Sequence, residues 1–419
     1  MKVLLVTPHY LPEIRSVSVL MSQLADDLAA AGHDVTVLTP YPPANMAEAQ
    51  GGSAASREQN GRVRILRVQV PPFVKVAPVV RALTHFTLAV GMVLAGLREG
   101  RHDVMIAYSP PLTLALACEI LGRCWGAPYV LNVQDVYPQA LIDLGLARHR
   151  AVVGVLGWLE RRAYRHAAAI SVHSEGNRAL VAARGVAEDK ITVVHNWIDT
   201  AETVPGPRHN GYRDEFGLGD AFVVLFAGVM GYAQDMAVMI DAATALREDQ
   251  DIVFLLVGDG VRRSEAEDLV RARGLPNVRF APFQPVERYP LLLAAADCCL
   301  ATLQASVATP VVPSKIAGIL AAGRPVLAAL PQGDARVLVE KSGGGICVAP
   351  GDGAALAAAI RRLARDPTLY RTLGEAGRRY VEAHYARGVA TAAYDRLIRR
   401  VATPVAALHD VSGRGSPGA

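Results

Sequence analysis

Cysteine is scarce in this sequence: five residues in 419, with no CxxC spacing and with Cys298 and Cys299 side by side. An odd count without paired spacing argues against a disulfide framework or a cysteine-based zinc site, and it fits a chain working in a reducing cytosol. A surplus of one charge is lacking too. Lysine and arginine number 43 against 39 aspartates and glutamates, a formal net charge of +4. That is too slight for a dedicated nucleic-acid binder and compatible with acidic small-molecule substrates. Long apolar runs are also missing. The opening MKVLLVTPHYLPE breaks at Pro8, before reaching the length of a signal-peptide core. Residues 82–97 are uncharged but carry Thr84, His85 and Thr87. They fall short of the ~20 residues that a bilayer core requires, which predicts a buried or interfacial helix and not a span.

What is present suffices for large cores. Hydrophobic residues make up 51% and charged residues 20% of the chain, the balance of a globular protein, and the length suits two domains or three smaller ones. The string VLLVT at 3–7 reads as a strand. A loop with Pro8 and Pro12 follows, then Val17, Leu20, Leu24, Leu28 and Ala31 at helical spacing, then Gly32 and a second strand, VTVLT, at 35–39. Similar strings recur from 63, 104, 129, 168 and 191. After the proline- and glycine-rich DTAETVPGPRHNGY (199–212) they recur again from 222, 252, 278, 298, 325 and 345. Continuous apolar strands alternating with helices predict an α/β fold of two doubly wound, Rossmann-like domains facing across a cleft, with ligands at the carboxyl ends of the strands. The expected organisation is an N-terminal domain over 1–204, a linker over 200–212 and a C-terminal domain over 212–384. A disordered tail is expected at 403–419 and a mobile low-complexity loop at 44–61.

Two stretches carry phosphate-binding chemistry. In FAGVMGYAQD a strand runs into a Gly228/Gly231 turn and a helix expected to begin near Gln234; such a turn lets backbone N–H groups approach a phosphate, or serves only as a tight turn. In VVPSKIAGILAAGRPVLA, Ser314 is suited to cap a helix and Lys315 falls in its first turn, where a cation opposes the helix dipole. A diphosphate at that helix end would explain the placement; a solvated surface lysine is the alternative. On the N-terminal side, Asp135 follows the strand YVLNV and Glu13 follows the first strand. Asp135 could accept a proton from a bound hydroxyl, or simply cap a turn. His173, His195 and Asn196 also follow strands, the histidines as structural residues and Asn196 orienting the chain into the linker.

Taken in order, HYLPE with LADDLAAAGHDVTVLT, VQDVYPQALIDLG at 133, SVHSEGNRALVAARGVAEDKITVVHNWIDT at 171, and LFAGVMGYAQD through LLVGDG to PSKIAGILAAGRPV give the chain its resemblance. It resembles the family-four retaining glycosyltransferases of GT-B fold, in the subgroup associated with bacterial O-antigen, capsule and exopolysaccharide assembly. The resemblance covers nearly the whole chain. It implies a nucleotide-diphospho-sugar donor, expected to be UDP-linked, bound by the C-terminal half, with no separate cofactor and no metal. It implies a lipid-linked or glycan acceptor bound by the N-terminal half, retention of anomeric configuration and a helix near 385–400 returning to the first domain. The stretches FVKVAPVVRALTHFTLAVGMVLAGLREGR and RHRAVVGVLGWLERRAYRHA combine apolar faces with arginines, which predicts peripheral docking at a membrane surface, and the slight net charge predicts no nucleic-acid partner. The diphosphate would meet the Gly228 and Gly231 turn and Ser314, Lys315 and Ile316. The base would lie near Phe283 and Gln284, with Gly258 and Asp259 in a neighbouring loop, although Phe283 also reads as a core aromatic and Asp259 as a helix cap.

The sequence departs from that pattern in places. The paired donor-side glutamates of many relatives fall here on Pro310 and Gly318, the cations after the first glycine on Met230 and Gln234, and a frequent histidine on Gln134. The glycine-rich turn common after the first strand reads Ile14-Arg15-Ser16. Lys315 is thereby left as the main cation for the diphosphate, with Asp135 and Glu13 as the acceptor-side carboxylates. The same departures motivate a catalytically inactive sugar-nucleotide-binding subunit as an alternative; a non-hydrolysing nucleotide-sugar epimerase would use the same cleft, and the missing donor-side glutamates count against it. A dinucleotide oxidoreductase is disfavoured, because TPHYLPE lacks GxGxxG.

Overall fold

The computed structural model describes residues 1–13, 15–42, 57–69, 78–139, 142, 150–307, 310 and 312–403. The chain divides into two compact units: Met1–His195 together with the chain from Ala390 onward, and Asn196–Val389.

In the first unit β1 (Lys2–Val6), β2 (Asp34–Pro40), β3 (Arg57–Asn60), β4 (Val63–Val68), β5 (Val104–Ser109), β6 (Tyr129–Val133), β7 (Ala169–Val172) and β8 (Ile191–Val193) form one sheet. Its order is β3-β4-β2-β1-β5-β6-β7-β8. The pairings are parallel except for β3 with β4. The strands Val3–Val6, Val104–Ala107 and Val130–Leu131 are buried on both faces, as helix-covered parallel strands must be. Strand β3 corrects the expectation of a loop over 44–61. REQN offers no apolar alternation to read, and the exposed edge of β4 supplies the hydrogen bonds that make it a strand; residues 44–56 lie outside the described part.

The helix Arg387–Ala402 completes this unit. Buried Tyr394 places its hydroxyl 3.1 Å from Ser171 Oγ, and Asp395 lies 2.6 Å from Nε2 of buried His33. The Pro78–Glu99 helix packs Leu88, Ala89 and Met92 into the core and leaves Phe86, Val90, Leu94 and Leu97 exposed. No helix among the described residues is long and apolar enough to cross a membrane. Residues 404–419, where a tail was expected, lie outside the described part.

The second unit is a parallel sheet of β9 (Phe222–Ala227), β10 (Ile252–Val257), β11 (Val278–Ala281), β12 (Cys298–Thr302), β13 (Val326–Ala329) and β14 (Gly345–Val348), in the order β11-β10-β9-β12-β13-β14. Alternation along the strands feeds two cores: Leu225 and Leu255 meet Ile316 and Leu320 on one face, while Phe226 and Phe254 meet Met239 and Ile240 on the other. The stretch expected as a free linker is tied down from residue 200. Thr203 is buried, Arg378 donates to the carbonyls of Thr200 and Thr203, and Arg324 donates to Gly206 O at 2.9 Å. Arginines satisfy carbonyls that water would otherwise take, so this segment belongs to the second unit. The two chain passages adjoin, with Ile198 bridging to Ala386.

Candidate active site

Strand order in the second sheet reverses between β9 and β12, the position at which open α/β sheets present a ligand crevice. The turn leaving β9 starts at Gly228, whose φ of +144° only glycine holds without strain. The neighbouring loop braces it closely. Gly228 N–H donates to Val257 O at 2.9 Å, Met230 N–H to Asp259 O at 2.8 Å, and Arg262 N–H to Met230 O at 3.0 Å. A Cβ on Gly258 would sit 1.9 Å from Gly228 O, and one on Gly260 2.5 Å from Met230 O. Gly258 thus supports the turn from below instead of offering itself to a ligand. Asp259 is exposed and accepts from Gly260 N–H at 2.7 Å; it does not cap the helix, which starts at Arg263.

The expectation that the turn's amides stand open needs refinement. Those of Gly228 and Met230 are used by the loop, and that of Gly231 donates to Gln234 Oε1 at 3.1 Å. Only the last partner is a side chain that a ligand could displace by rotation. The helix after the turn begins at Met236, not near Gln234, because Asp235 is its cap and accepts from Val238 N–H at 3.1 Å.

Lys315 lies beside this turn. Its Nζ is buried, has no hydrogen-bond partner among the described residues, and sits 3.9 Å from the ring centroid of Phe226. Gly228 makes room for it, since a Cβ there would come within 3.0 Å of Nζ. Burial pulls the ammonium's pKa down to about 8, with Cys299 opposing. An aromatic face offsets part of a cation's desolvation but replaces no hydrogen bond. Ser314 is the first residue of the helix Ser314–Ala321 and not its cap: Pro313 holds the cap position in extended backbone, without a side-chain bond. Ile316 is buried in the core and its N–H donates to Pro313 O at 3.0 Å, so its side chain is part of the packing under the site.

Phe283 and Gln284 follow the edge strand β11. Phe283 is exposed, which removes the core-aromatic alternative; Gln284 accepts from Tyr212 Oη at 3.2 Å and donates to Pro282 O at 3.0 Å.

In the first unit the order reverses between β1 and β5. Glu13, read as an acceptor-side cleft carboxylate, is buried and engaged. Oε2 lies 2.7 Å from His9 Nδ1, and Arg15 Nε donates to Oε1. Its burial follows from the loop: Tyr10 plugs the core, and buried Arg67 donates to Leu11 O at 2.7 Å. Ile14 lies outside the described part. His9 is the residue that sequence reasoning passed over, and the signal was the i, i+4 histidine–glutamate spacing in HYLPE. Asp135 reaches solvent, yet the protein around it pushes its carboxyl above the ordinary range, with His173 pulling the other way. His173 Nε2 lies 3.0 Å from Gln134 O and 2.7 Å from Asn177 Nδ2, and His195 Nδ1 lies 2.9 Å from His173 O. Both rings are thus held by the strand ends. Asn196 is half-buried at the first position of the second unit. Among the described residues no group of three or more histidine, cysteine or acidic side chains could hold a metal.

Two Rossmann-like units, with a glycine turn and a buried lysine beside the switch point of the second sheet, place the chain among doubly wound α/β proteins. Residues 17–197 match the Glycosyl transferase 4-like domain and residues 221–366 the Glycosyl transferases group 1 domain. WcaI, an Escherichia coli (strain K12) glycosyl transferase assigned to colanic acid biosynthesis, is 29% identical over 376 residues, 86% of this chain and 92% of its own. The 2-deoxystreptamine glucosyltransferase of Streptomyces kanamyceticus is 31% identical over 301 residues, 68% of this chain and 74% of its own. Among solved structures, Anabaena HepE in complex with UDP superposes with a TM-score of 0.73 at 17% identity, covering 96% of this chain and all of HepE. The chain belongs to the family-four glycosyltransferases.

Proposed function

We propose that the protein transfers a sugar, with retention, from a nucleotide-diphospho-sugar held by the second unit to a lipid-linked or glycan acceptor held by the first, in cell-surface polysaccharide assembly. The observation that carries this is the buried Lys315 ammonium, without a hydrogen-bond partner among the described residues, beside the Gly228 turn. A cation left unsatisfied in the apo fold is stabilised most by an anion that enters with the substrate. As the glycosidic bond breaks, charge grows on the leaving diphosphate, where the ammonium and the N-terminus of the Ser314–Ala321 helix act together. In this reading the positive charge comes from the protein, and neither a metal nor a separate cofactor is required. Phe283, exposed at the end of β11, would stack on the base. The UDP bound to HepE and the colanic acid assignment of WcaI support a UDP-linked donor and a polysaccharide pathway.

The same reading places the protein on the cytoplasmic face of an anionic membrane, where a lipid-linked acceptor resides. Phe86, Val90, Leu94 and Leu97 are exposed on one helix and Val152, Val155 and Trp158 on the helix Arg150–His166, with Arg161 and Arg165 exposed beside them. Apolar side chains with adjacent arginines suit an anionic interface. Flotation with anionic liposomes at low salt tests it: co-migration that is lost in Val90→Glu/Leu94→Glu supports docking, and no co-migration of the parent refutes it. The transfer itself is tested by nucleoside diphosphate release from UDP- and GDP-sugars with membrane lipid extract, in EDTA and without added metal. Activity that requires a divalent cation would refute the metal-free reading, and binding without turnover would identify a non-catalytic subunit.

A further inference from the structure

We infer that the first unit holds a neutral sugar ring on Asn132, with Tyr108 and Asp135 beside it; this rests on the glycosyl-transfer reading above and names the part of the acceptor that the unit grips. The sheet register carries it. Tyr108 pairs with Asn132, Asn132 with Ser171 and Ser171 with Thr192. Thr7 follows Val6, which pairs with Leu38 and Ala107, so the row runs on through Thr7 to Thr39. Register partners share one face of a sheet, and these six polar side chains lie along a single line near the carboxyl ends of their strands. The line one residue earlier, from Leu38 through Val6, Ala107 and Leu131 to Ile191, is apolar. Hydroxyls and amides buried in a helix-covered parallel sheet cost stability unless they are answered, so the polar row calls for a reason.

The protein itself answers much of the row. Ser171 Oγ lies 3.1 Å from Tyr394 Oη, Thr192 Oγ1 accepts from Arg400 at 3.4 Å, and Thr7 Oγ1 donates to His9 O at 3.0 Å. Thr39 Oγ1 and Asn132 Nδ2, in contrast, are buried with no hydrogen-bond partner among the described residues. Their surroundings separate them. Thr39 stands between Thr7 and its register partner Arg67, both buried. Asn132 is 1% exposed, but Tyr108 beside it is half-buried and Asp135, three residues on, is exposed, so a ligand can reach it from the strand ends. Gln134 Nε2 donates to Asn132 Oδ1 at 2.9 Å, which fixes the amide and leaves Nδ2 as the open donor. Burial, and then the Asp135 charge, push the Tyr108 phenol up, which sets that carboxyl near the ring. The group lies at the ends of β5 and β6, next to the order reversal between β1 and β5, where open sheets present ligands. Its chemistry selects the ligand: Tyr108 and Asn132 are uncharged and Asp135 is acidic, a set that repels phosphate. An amide donor beside a carboxyl acceptor matches neighbouring oxygens of a sugar, one accepting and the next donating.

Saturation-transfer NMR on the full chain, in saturating UDP, tests this with the methyl glycosides of glucose, galactose, mannose and fucose, and with glycerol phosphate as the anionic probe. At least one glycoside is expected to bind and glycerol phosphate is not. Asn132→Ala and Asn132→Leu are each expected to weaken that glycoside by roughly three- to tenfold, the loss of one hydrogen bond, with UDP binding unchanged. Asn132→Leu, which removes a desolvated donor, is expected to melt no lower than the parent. Thr39→Val, enclosed in the row, and Ser171→Ala, already answered by Tyr394, are expected to leave glycoside affinity unchanged. Three results overturn the inference while leaving the transfer reading intact: no glycoside bound by a parent that binds UDP, glycoside displaced by glycerol phosphate, or an Asn132 effect that is absent or matched by Thr39→Val and Ser171→Ala. No UDP binding and no nucleoside diphosphate release from UDP- or GDP-sugars by the parent overturns the transfer reading instead, and glycoside binding then judges the site alone.

Discussion

The two units bury charges of opposite sign and treat them differently. In the second, the Lys315 ammonium is buried with no hydrogen-bond partner among the described residues; in the first, the Glu13 carboxylate is buried with two, His9 and Arg15. An unpaired buried charge is an unmet demand that a ligand of opposite sign can satisfy, whereas a paired one is already spent on orienting its neighbours. On this comparison the lysine is suited to holding an anion, while the glutamate is already engaged with its neighbours.

The largest effect that would break the comparison comes from the brace under the lysine. Gly258→Ala puts a methyl 1.9 Å from Gly228 O at a φ of +140°, costing on the order of 4 kcal/mol from strain and overpacking. The expected result is a lowered melting temperature and no measurable UDP binding. An unchanged melt would mean that the two loops separate readily.

Next is the lysine itself. Lys315→Met removes a charge-assisted contact and should weaken UDP binding by about 1.5–3 kcal/mol, with a larger loss in kcat. Because the folded pKa is depressed to about 8 from 10.5, the folded state binds fewer protons than the unfolded state between those values. The penalty, at most about 3 kcal/mol, is therefore full below pH 8 and relieved as pH rises towards 10.5. Lys315→Met should thus melt higher than the parent at pH 7 while binding worse. Calorimetry of UDP in buffers of different ionisation enthalpy should show proton uptake that is small at pH 7 and grows above pH 8. No growth would mean that the ammonium is not at the phosphates.

A smaller effect sharpens the acceptor side. Asp135→Asn should raise acceptor KM by about tenfold, the worth of one hydrogen bond involving a charged group, with less effect on kcat than Lys315→Met. The raised pKa means that the ionised form costs stability at neutral pH. The asparagine variant should therefore melt slightly higher at pH 7, an advantage that disappears as pH falls below the unfolded value.

The smallest concerns Gln234. Removing the side chain that occupies the Gly231 amide should tighten UDP binding two- to fivefold, about 0.5–1 kcal/mol for a displaced neutral hydrogen bond. Weaker binding would show that Gln234 touches the nucleotide instead of blocking it.

Much of this was legible in the sequence. The apolar runs at 3, 104, 129, 222, 252 and 298 are strands because parallel sheets covered on both faces need unbroken apolar strings. Lys315 stood out because a cation in a first helical turn opposes the dipole. What escaped was whatever depended on a partner remote in space or on loop geometry. REQN is a strand only by virtue of the edge it joins. Pro313 displaced Ser314 from the cap because the backbone turned one residue earlier. The burial of Glu13 was not legible because nothing in HYLPE tells that Tyr10 and the distant Arg67 draw the loop inward. Gln234 looked like a lost cation, and its bond to Gly231 is a matter of loop shape.

The first unit is assembled from both ends of the described chain. Ser171 and His33 meet their partners only on the helix Arg387–Ala402. On the ribosome, residues 1–195 therefore emerge with one face bare and wait while the entire second unit is synthesised before the closing helix arrives. A fragment ending at residue 195 carries that uncovered face permanently, and a nonsense mutation near residue 386 damages the half of the protein that was translated first.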